Sequence, residues 1–267
     1  MIVLKIGGSI VADGLHITTI HDIAEIAKKD KVVVVHGGAA EVTNTAAKLG
    51  KDQKFVVSPS GIRSRYTDFE TSEIYTMVMS GKINKAIVRM FLREGLKAAG
   101  VAGIDGSMLR AERKKKLLII NEKGRKMVID GGYTGRITYV DVSLIDTLLD
   151  KGYVPVISPI ALGEEFEFLN VDGDRAAAYV AGAVKADKII LLTNVDGLIL
   201  EGELITNITS DQVKAVLPQI GFGMEKKVLA CTEAIEMGAK EAIIASGRKA
   251  NPISEAISHQ GCTVITL

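Results

Sequence analysis

Three ionisable residues stand where a charged side chain needs a partner. Lys5 lies within the apolar run Ile2–Ile6, Asp174 closes the motif Asn170-Val-Asp172-Gly-Asp174, and Lys227 follows Gly223-Met224-Glu225-Lys226 at the head of an apolar helical pattern. An unpaired ammonium inside a strand is costly to bury. Lys5 therefore either snorkels from an edge strand or carries its charge to the strand's carboxyl end, facing an anion. A lysine in a first helical turn opposes the macrodipole, a penalty that an anion opposite Lys226 or Lys227 would offset. Solvated surface lysines are the plainer alternative there. Four glycine turns, each after a short apolar run, could cradle such an anion: Lys5-Ile6-Gly7-Gly8-Ser9, His36-Gly37-Gly38-Ala39, Asn194-Val195-Asp196-Gly197 and Ser246-Gly247-Arg248. In an open α/β sheet that position is the carboxyl edge, where ligands bind. Glycine admits a bulky anion close to the main chain, whose exposed N–H groups can hold phosphate. One such turn says little; four point to a shared phosphate crevice.

Other motifs carry less. His36, before two glycines at a strand end, reads as a structural hydrogen-bonding group, and no second His or Cys stands at metal-ligand spacing. The Asn170–Asp174 motif resembles part of a calcium loop, but the downstream glutamate is missing and an apolar helical pattern from Ala176 to Val184 follows at once. Asp172 or Asp174 can instead cap that helix, or Asn170 can touch a substrate while Asp174 orients lysines. The chain has no G-x-x-x-x-G-K-[ST] run, no G-x-G-x-x-G after its first strand, and no His-Arg-Asp or Asp-Phe-Gly signature. A phosphate enzyme built on it must use the distributed glycine turns.

The elements that position these residues follow from patterning. Ile2–Ile6, Val32–Val35, Val154–Ile157, Ile189–Leu192, Ala242–Ile244 and Val264–Ile265 read as buried strands. Ile20, Ile23, Ala24 and Ala27 form one helical stripe; Ile83, Ile87, Val88, Phe91 and Leu92 form another. Thr67-Asp-Phe-Glu70 and Thr209-Ser-Asp-Gln212 match the capping box. The alternation predicts an α/β fold with a mainly parallel sheet covered on both faces. Between Leu117 and Val140 the strand-like runs and glycine turns predict an antiparallel hairpin excursion. A change of lobe is expected after Ser158-Pro159, giving lobes 1–162 and 163–267 on one sheet.

At 267 residues, 47% of them hydrophobic, the chain can fill one large α/β core or two modest lobes. A net charge of +1 argues against a general nucleic-acid binder. Cys231 and Cys262 are too few for a disulfide scaffold or a cysteine zinc site. Lys5 and two glycines interrupt the first apolar stretch, so no signal peptide is expected. No apolar run approaches the ~18 residues of a membrane span. A cytoplasmic protein is the expectation.

Taken in order, Lys5-Ile-Gly-Gly-Ser, Val-His36-Gly-Gly, Arg65-Tyr-Thr-Asp68, Asn170-x-x-x-Asp174, Thr193-Asn-Val-Asp-Gly197 and Gly223-Met-x-x-Lys227 resemble the amino-acid kinase family over nearly the whole chain. Within it they look most like N-acetylglutamate kinase and its carrier-protein relatives, the LysW-aminoadipate and LysW-glutamate kinases. The resemblance implies a three-layer sandwich with a hairpin in the N-terminal lobe, and a reaction in which ATP phosphorylates a side-chain carboxylate to an acyl phosphate. It implies that Lys5 and Lys227 neutralise the phosphoryl group, that Asp174 holds them, and that the Gly8 and Gly38 N–H groups contact phosphate oxygens. Gly37, Gly38, Arg63, Arg65 and Asn170 would bind the acceptor. Lys5, Gly7, Gly8, Thr193, Asn194, Val195, Asp196, Gly197, Met224 and Lys227 would bind the nucleotide. Mg²⁺ would come bridged by ATP phosphates, with no protein metal site. A homodimer is implied, packed through the long helix after Asp68; no amino-terminal helix precedes the first strand, so neither arginine feedback nor a hexamer is.

The acceptor loop departs from the acetylglutamate kinase pattern. That family reads Gly-x-Arg-x-Thr-Asp, whereas this chain reads Gly61-Ile-Arg63-Ser-Arg65-Tyr-Thr-Asp68, two residues longer with a second arginine. This form resembles the carrier-protein kinases, whose substrate hangs from the C-terminal glutamate of a small acidic protein. From Arg110 to Lys126, eight basic residues face only Glu112 and Glu122, a local +6 that leaves the rest of the chain at −5. Such a hairpin, with Lys114, Lys115 and Lys116 at its base, can steer an acidic carrier, or simply be a solvated surface. The leading expectation is a kinase for carrier-bound 2-aminoadipate, glutamate or both, in lysine and arginine biosynthesis. The alternatives are a free N-acetylglutamate kinase and a non-catalytic nucleotide sensor.

Overall fold

The structure is a computed structural model that describes residues 1–12, 14–59, 61, 63–221 and 223–267. Its centre is an eight-stranded sheet of β1 (Ile2–Ile6), β2 (Val32–His36), β5 (Ala98–Ala102), β10 (Val154–Ser158), β13 (Lys188–Thr193), β16 (Asn207–Thr209), β17 (Ala242–Ser246) and β18 (Thr263–Thr266). Their order is β16-β18-β17-β13-β1-β2-β10-β5, and every pairing is parallel except β17 with β18. The helices are α1 (Gly8–Ala12), α2 (Ile17–Ala27), α3 (Ala39–Lys48), α4 (Phe69–Thr76), α5 (Asn84–Arg93), α6 (Ser143–Asp150), α7 (Gly173–Ala183), α8 (Ser210–Val216), α9 (Met224–Glu236) and α10 (Pro252–Ile257). None is long and apolar enough to cross a membrane.

The period of two in a strand sends alternate side chains to opposite faces. Val3, Val33, Val35, Ile189 and Leu191 pack under α6, α7, α8 and α9, whereas Leu4, Ile6, Val34, Ile190 and Leu192 pack under α1 to α5 and α10. Two apolar cores thus make a three-layer α/β sandwich, as the sequence pattern and the family resemblance both predict. Lys5 shares the parity of Val3, so its stem rises on the face that carries α7.

Two smaller sheets stand off the main one. One pairs β6 (Leu109–Arg113), β9 (Gly135–Val140), β11 (Ile160–Leu162) and β12 (Phe168–Asn170). The other is ordered β4-β3-β7-β8, from β3 (Phe55–Val57), β4 (Arg63–Arg65), β7 (Lys116–Ile120) and β8 (Lys126–Asp130), all antiparallel. A two-residue-per-strand hairpin, β14 (Ile199–Leu200) with β15 (Glu203–Leu204), completes the strands among the described residues. The hairpin expected between Leu117 and Val140 is present as β7–β8, but it has recruited the arginine segment, and β9 returns to pair with β6 instead.

One helix start differs from the expectation. Thr209 caps α8 with the full reciprocal box to Gln212. At the other match the cap is Asp68, whose Oδ1 accepts the Thr71 N–H at 2.8 Å. Thr67 is spent elsewhere: its hydroxyl accepts from Asn170 and its carbonyl from Tyr133 N–H.

Candidate active site

The four glycine turns sit on four consecutive strands of the sheet, β17, β13, β1 and β2. Because those strands are parallel, their carboxyl ends share one edge. Neighbouring turns are stitched together: Gly7 N–H donates to the Leu192 carbonyl, Gly37 N–H to Ile6, and Gly247 N–H to Thr193. The two double-glycine turns touch. A Cβ on Gly37 would lie 2.7 Å from Gly8 N, and one on Gly8 would lie 3.0 Å from Gly38 N. Only glycine permits that approach, and it gathers the Gly8, Gly38 and Ala39 N–H groups in one place.

The three charged residues converge beside these turns. Asp172 caps α7 by accepting from the Asp174 and Arg175 N–H groups, which sets Asp174 in the helix's first turn. Its Oδ1 lies 2.5 Å from Lys5 Nζ and its Oδ2 2.8 Å from Lys227 Nζ. Gly173 lies alongside, a Cβ there being in ordinary contact, 3.8 Å, with Lys5 Cε. Burial alone would raise the Asp174 pKa; the charges of Lys5 and then Lys227 outweigh it and hold the carboxyl well below the usual range. Two ammonium groups and one carboxylate leave a net +1 next to a cluster of main-chain donors, which is an anion-binding arrangement. Lys226 is half-buried, and only Lys227 reaches Asp174.

A cleft of about 410 Å³ opens from Lys227 along the β13 end. Thr193, Asn194, Val195, Gly197 and Met224 line it as the sequence suggests, joined by Ile199, Ile220, Gly221 and Gly223. The sequence reading did not single out Ile199 and Ile220, because isoleucines outside the longer apolar runs carry no motif. Asp196 is exposed and contributes no wall. The volume and mixed apolar and polar lining suit a small organic ligand. Among the described residues no three His, Cys, Asp or Glu side chains gather to hold a metal.

On the other side of the double glycines lie the acceptor-loop residues. Arg65 donates to Gln53, to the Ala39 carbonyl (2.8 Å) and to Thr43 Oγ1 (2.8 Å), so its guanidinium is pinned to the first turns of α3 beside Gly38. Arg63 is exposed, with its guanidinium 3.9 Å from the centre of the Phe55 ring. Asn170 is half-buried, and its amide donates to Thr67. His36 is fully buried, as its structural reading implies: the Gly37 carbonyl accepts from Nδ1 and Asn84 donates to Nε2.

The later part of the basic segment, from Lys116 to Lys126, and the arginine loop, far apart in sequence, share the β4-β3-β7-β8 sheet, while Arg110 and Arg113 lie on β6. Val57 of β3 opposes Ile120 of β7, and a groove of about 720 Å³ lies along Phe55, Val57, Ile120 and Lys123. Lys114, Lys115 and Lys116 are exposed at the root of β7. Desolvation first, and then the charge of Arg175, pull the Lys114 pKa below its ordinary value, so this root lies within electrostatic reach of α7.

The family model for the amino acid kinase family matches residues 1–246. A relative from Nitrosopumilus maritimus, provisionally named a LysW-aminoadipate/LysW-glutamate kinase, is 60% identical over 265 residues, covering 99% of both chains. A protein of Saccharolobus islandicus that carries the same name without qualification is 42% identical over 266 residues, again 99% of both. Among solved structures, N-acetylglutamate synthase from Neisseria gonorrhoeae superposes with a TM-score of 0.80 at 18% identity, covering 100% of this chain and 59% of that one. That likeness bears on the fold alone.

Proposed function

Because this chain belongs to the amino acid kinase family, we propose that it transfers the γ-phosphoryl group of ATP to the side-chain carboxylate of an amino acid carried by a small acidic LysW-type protein. The acceptor amino acid is 2-aminoadipate, glutamate or both, as in the names of its relatives. The observation that carries this reading is the Lys5–Asp174–Lys227 bridge abutting the joined Gly8 and Gly38 turns.

A carboxylate acceptor is already ionised at neutral pH, so the site needs no general base. It needs positioning and charge neutralisation. Lys5 and Lys227 supply two positive charges for the transferring group, and Asp174 fixes where they point. The Gly8 and Gly38 N–H groups receive its equatorial oxygens. The base and ribose lie in the cleft between Asn194–Gly197 and Met224, with Ile199 and Ile220 as apolar walls. Arg65, held beside Gly38, and Asn170 grip the acceptor. A Mg²⁺ ion arriving with ATP would supply further charge neutralisation; with Asp174 committed to Lys5 and Lys227, no carboxylate cluster among the described residues is set to hold it.

The β4-β3-β7-β8 sheet serves as the carrier's docking surface, with Arg63 and Lys114–Lys116 meeting its acidic face. Strands β1, β2, β5 and β10 of lobe 1–162 hold the acceptor, and β13, β16, β17 and β18 of lobe 163–267 hold the nucleotide. A homodimer pairs two copies through the helices that follow Asp68, where Met77 and Leu92 are exposed. The two buried free thiols suit a cytoplasmic setting.

Lys5→Met tests the chemistry. ADP release in the presence of carrier-bound acceptor is expected to fall at least ~100-fold, by loss of a charge-neutralising group. Full activity in this variant would remove the phosphoryl-transfer role from the bridge.

A further inference from the structure

Beneath the double-glycine turn lies a buried polar chain with no place yet in the reaction. The helix after Asp68 is interrupted by a π-helical segment, Met77–Ile83, so that the Asn84 N–H reaches back to the Met79 carbonyl. Wide π turns of this kind recur at functional sites. Here the segment does two things at once. It lays Met79 and Ile83 against Gly38, where a Cβ would lie 3.1 Å from Met79 Sδ and 2.1 Å from Ile83 Cδ1. It also aims the fully buried Asn84 side chain inward. Asn84 Nδ2 donates to the Val156 carbonyl (2.8 Å) and to His36 Nε2 (3.2 Å), while Asn84 Oδ1 accepts from Lys85 Nζ (3.0 Å).

These contacts leave the amide one orientation and the imidazole one tautomer. With Nε2 accepting, the proton resides on Nδ1, which donates to the Gly37 carbonyl at 3.1 Å. That carbonyl belongs to the same peptide unit as the Gly38 N–H. A trans peptide is planar, and its C=O and N–H point in opposite directions. Holding the carbonyl therefore fixes the N–H, and polarising the carbonyl strengthens the N–H as a donor.

We propose that Asn84 and His36 act as a positioning couple that aims the Gly38 N–H at the transferring phosphoryl group. The inference rests on the reading that this N–H faces phosphate. It explains why a fully buried imidazole stands next to a flexible Gly-Gly turn: two glycines alone would let the peptide rotate. Burial holds the His36 pKa down at about 4, so the neutral, single-donor form persists through the working pH range.

The test combines NMR of the wild-type enzyme with two substitutions. Nitrogen-15 spectra of the imidazole should show Nδ1 protonated and Nε2 bare; the opposite tautomer overturns the proposal without any variant having to fold. Asn places its amide near the Nδ1 position and Gln places its amide near Nε2. His36→Asn should therefore keep kcat within ~3-fold, while His36→Gln should lose ~10–100-fold in kcat at unchanged KM for both substrates. Equal losses in the two variants overturn the couple, because a merely structural role would not separate them. In glycine-labelled wild-type enzyme the Gly38 amide resonance should shift when a non-hydrolysable ATP analogue binds. An unresponsive Gly38 amide overturns the phosphate-facing reading and the proposal with it. A responsive amide with the two variants equally impaired overturns the couple alone.

Discussion

Asp174 shares one carboxylate between two ammonium groups, and each side of that bridge depends on the other. Lys5 and Asp174 are both almost fully buried, and removing one partner of a buried pair costs ~3–5 kcal/mol. Asp174→Ala is thus expected to lower stability by that order and kcat by ~100-fold or more, read by denaturant unfolding and steady-state kinetics. Unchanged stability would mean that the lysines are solvated. His36 gives a prediction of opposite kind. Its pKa is about 4 in the fold against 6.5 for a free imidazole. Below pH 6.5 the unfolded chain takes up a proton that the folded chain refuses. Its stability contribution is complete above pH 6.5 and is lost as pH falls toward 4, by on the order of 3 kcal/mol. In urea unfolding from pH 7 to 4.5, His36→Asn should lack that part of the slope; identical slopes would contradict the buried neutral state. At this scale the sequence marked Lys5, because a charge inside an apolar run demands a partner, but left Asp174 with a capping alternative and Lys227 with a surface one; the fold pairs all three. The sequence was silent on Asn84, an ordinary polar residue in a helical stripe whose importance arises only from what lies across the sheet.

The elements carry the site through their ends. Strands β17, β13, β1 and β2 deliver four glycine turns to one edge, and the amino-terminal turns of α7 and α9 bring Asp174 and Lys227 to them. Gly38→Ala would drive a Cβ into Ile83 and Met79 and displace the turn; kcat is expected to fall ~100-fold. Gly50→Ala is the control: its φ of +77° makes alanine cost ~1 kcal/mol, but open space surrounds it and kcat should hold. Equal effects at the two positions would make the Gly38 result one of backbone strain alone. The β-branched strands were legible because short, continuous Val and Ile runs closed by glycine turns suit strands buried on both faces. Strand β5, Ala-Ala-Gly-Val-Ala, was not, since small residues pack at a sheet edge without a strand signature. Thr67-Asp-Phe-Glu70 misplaced a helix start by one residue, because the Thr67 hydroxyl and carbonyl were claimed by Asn170 and Tyr133, partners more than sixty residues away.

Across the molecule, charge is sorted by position. A segment of +6 belongs to a chain whose remainder is −5, and its β7–β8 hairpin shares a sheet with Arg63 and Arg65. Sequence separates these two basic features by some fifty residues, and only strand pairing makes them one surface. Replacing Lys114, Lys115 and Lys116 by Gln should cut kcat/KM for a carrier-linked acceptor ~10-fold or more and flatten its salt dependence, since steering charges act mainly on association. Turnover of free N-acetylglutamate, if any, should be unaffected. Equal rates for wild type and variant with the carrier would remove the hairpin from docking.

The central claim is a carboxylate kinase that reads its acceptor on a carrier. Acyl-phosphate formation from ATP, trapped as the hydroxamate, tests it with three acceptors side by side: carrier-linked aminoadipate, carrier-linked glutamate and free N-acetylglutamate. Product from one or both carrier-linked acceptors, with little from the free one, is the predicted result, and their ratio names the preferred side chain. Product from free N-acetylglutamate alone would contradict it, leaving the basic sheet as a solvated surface.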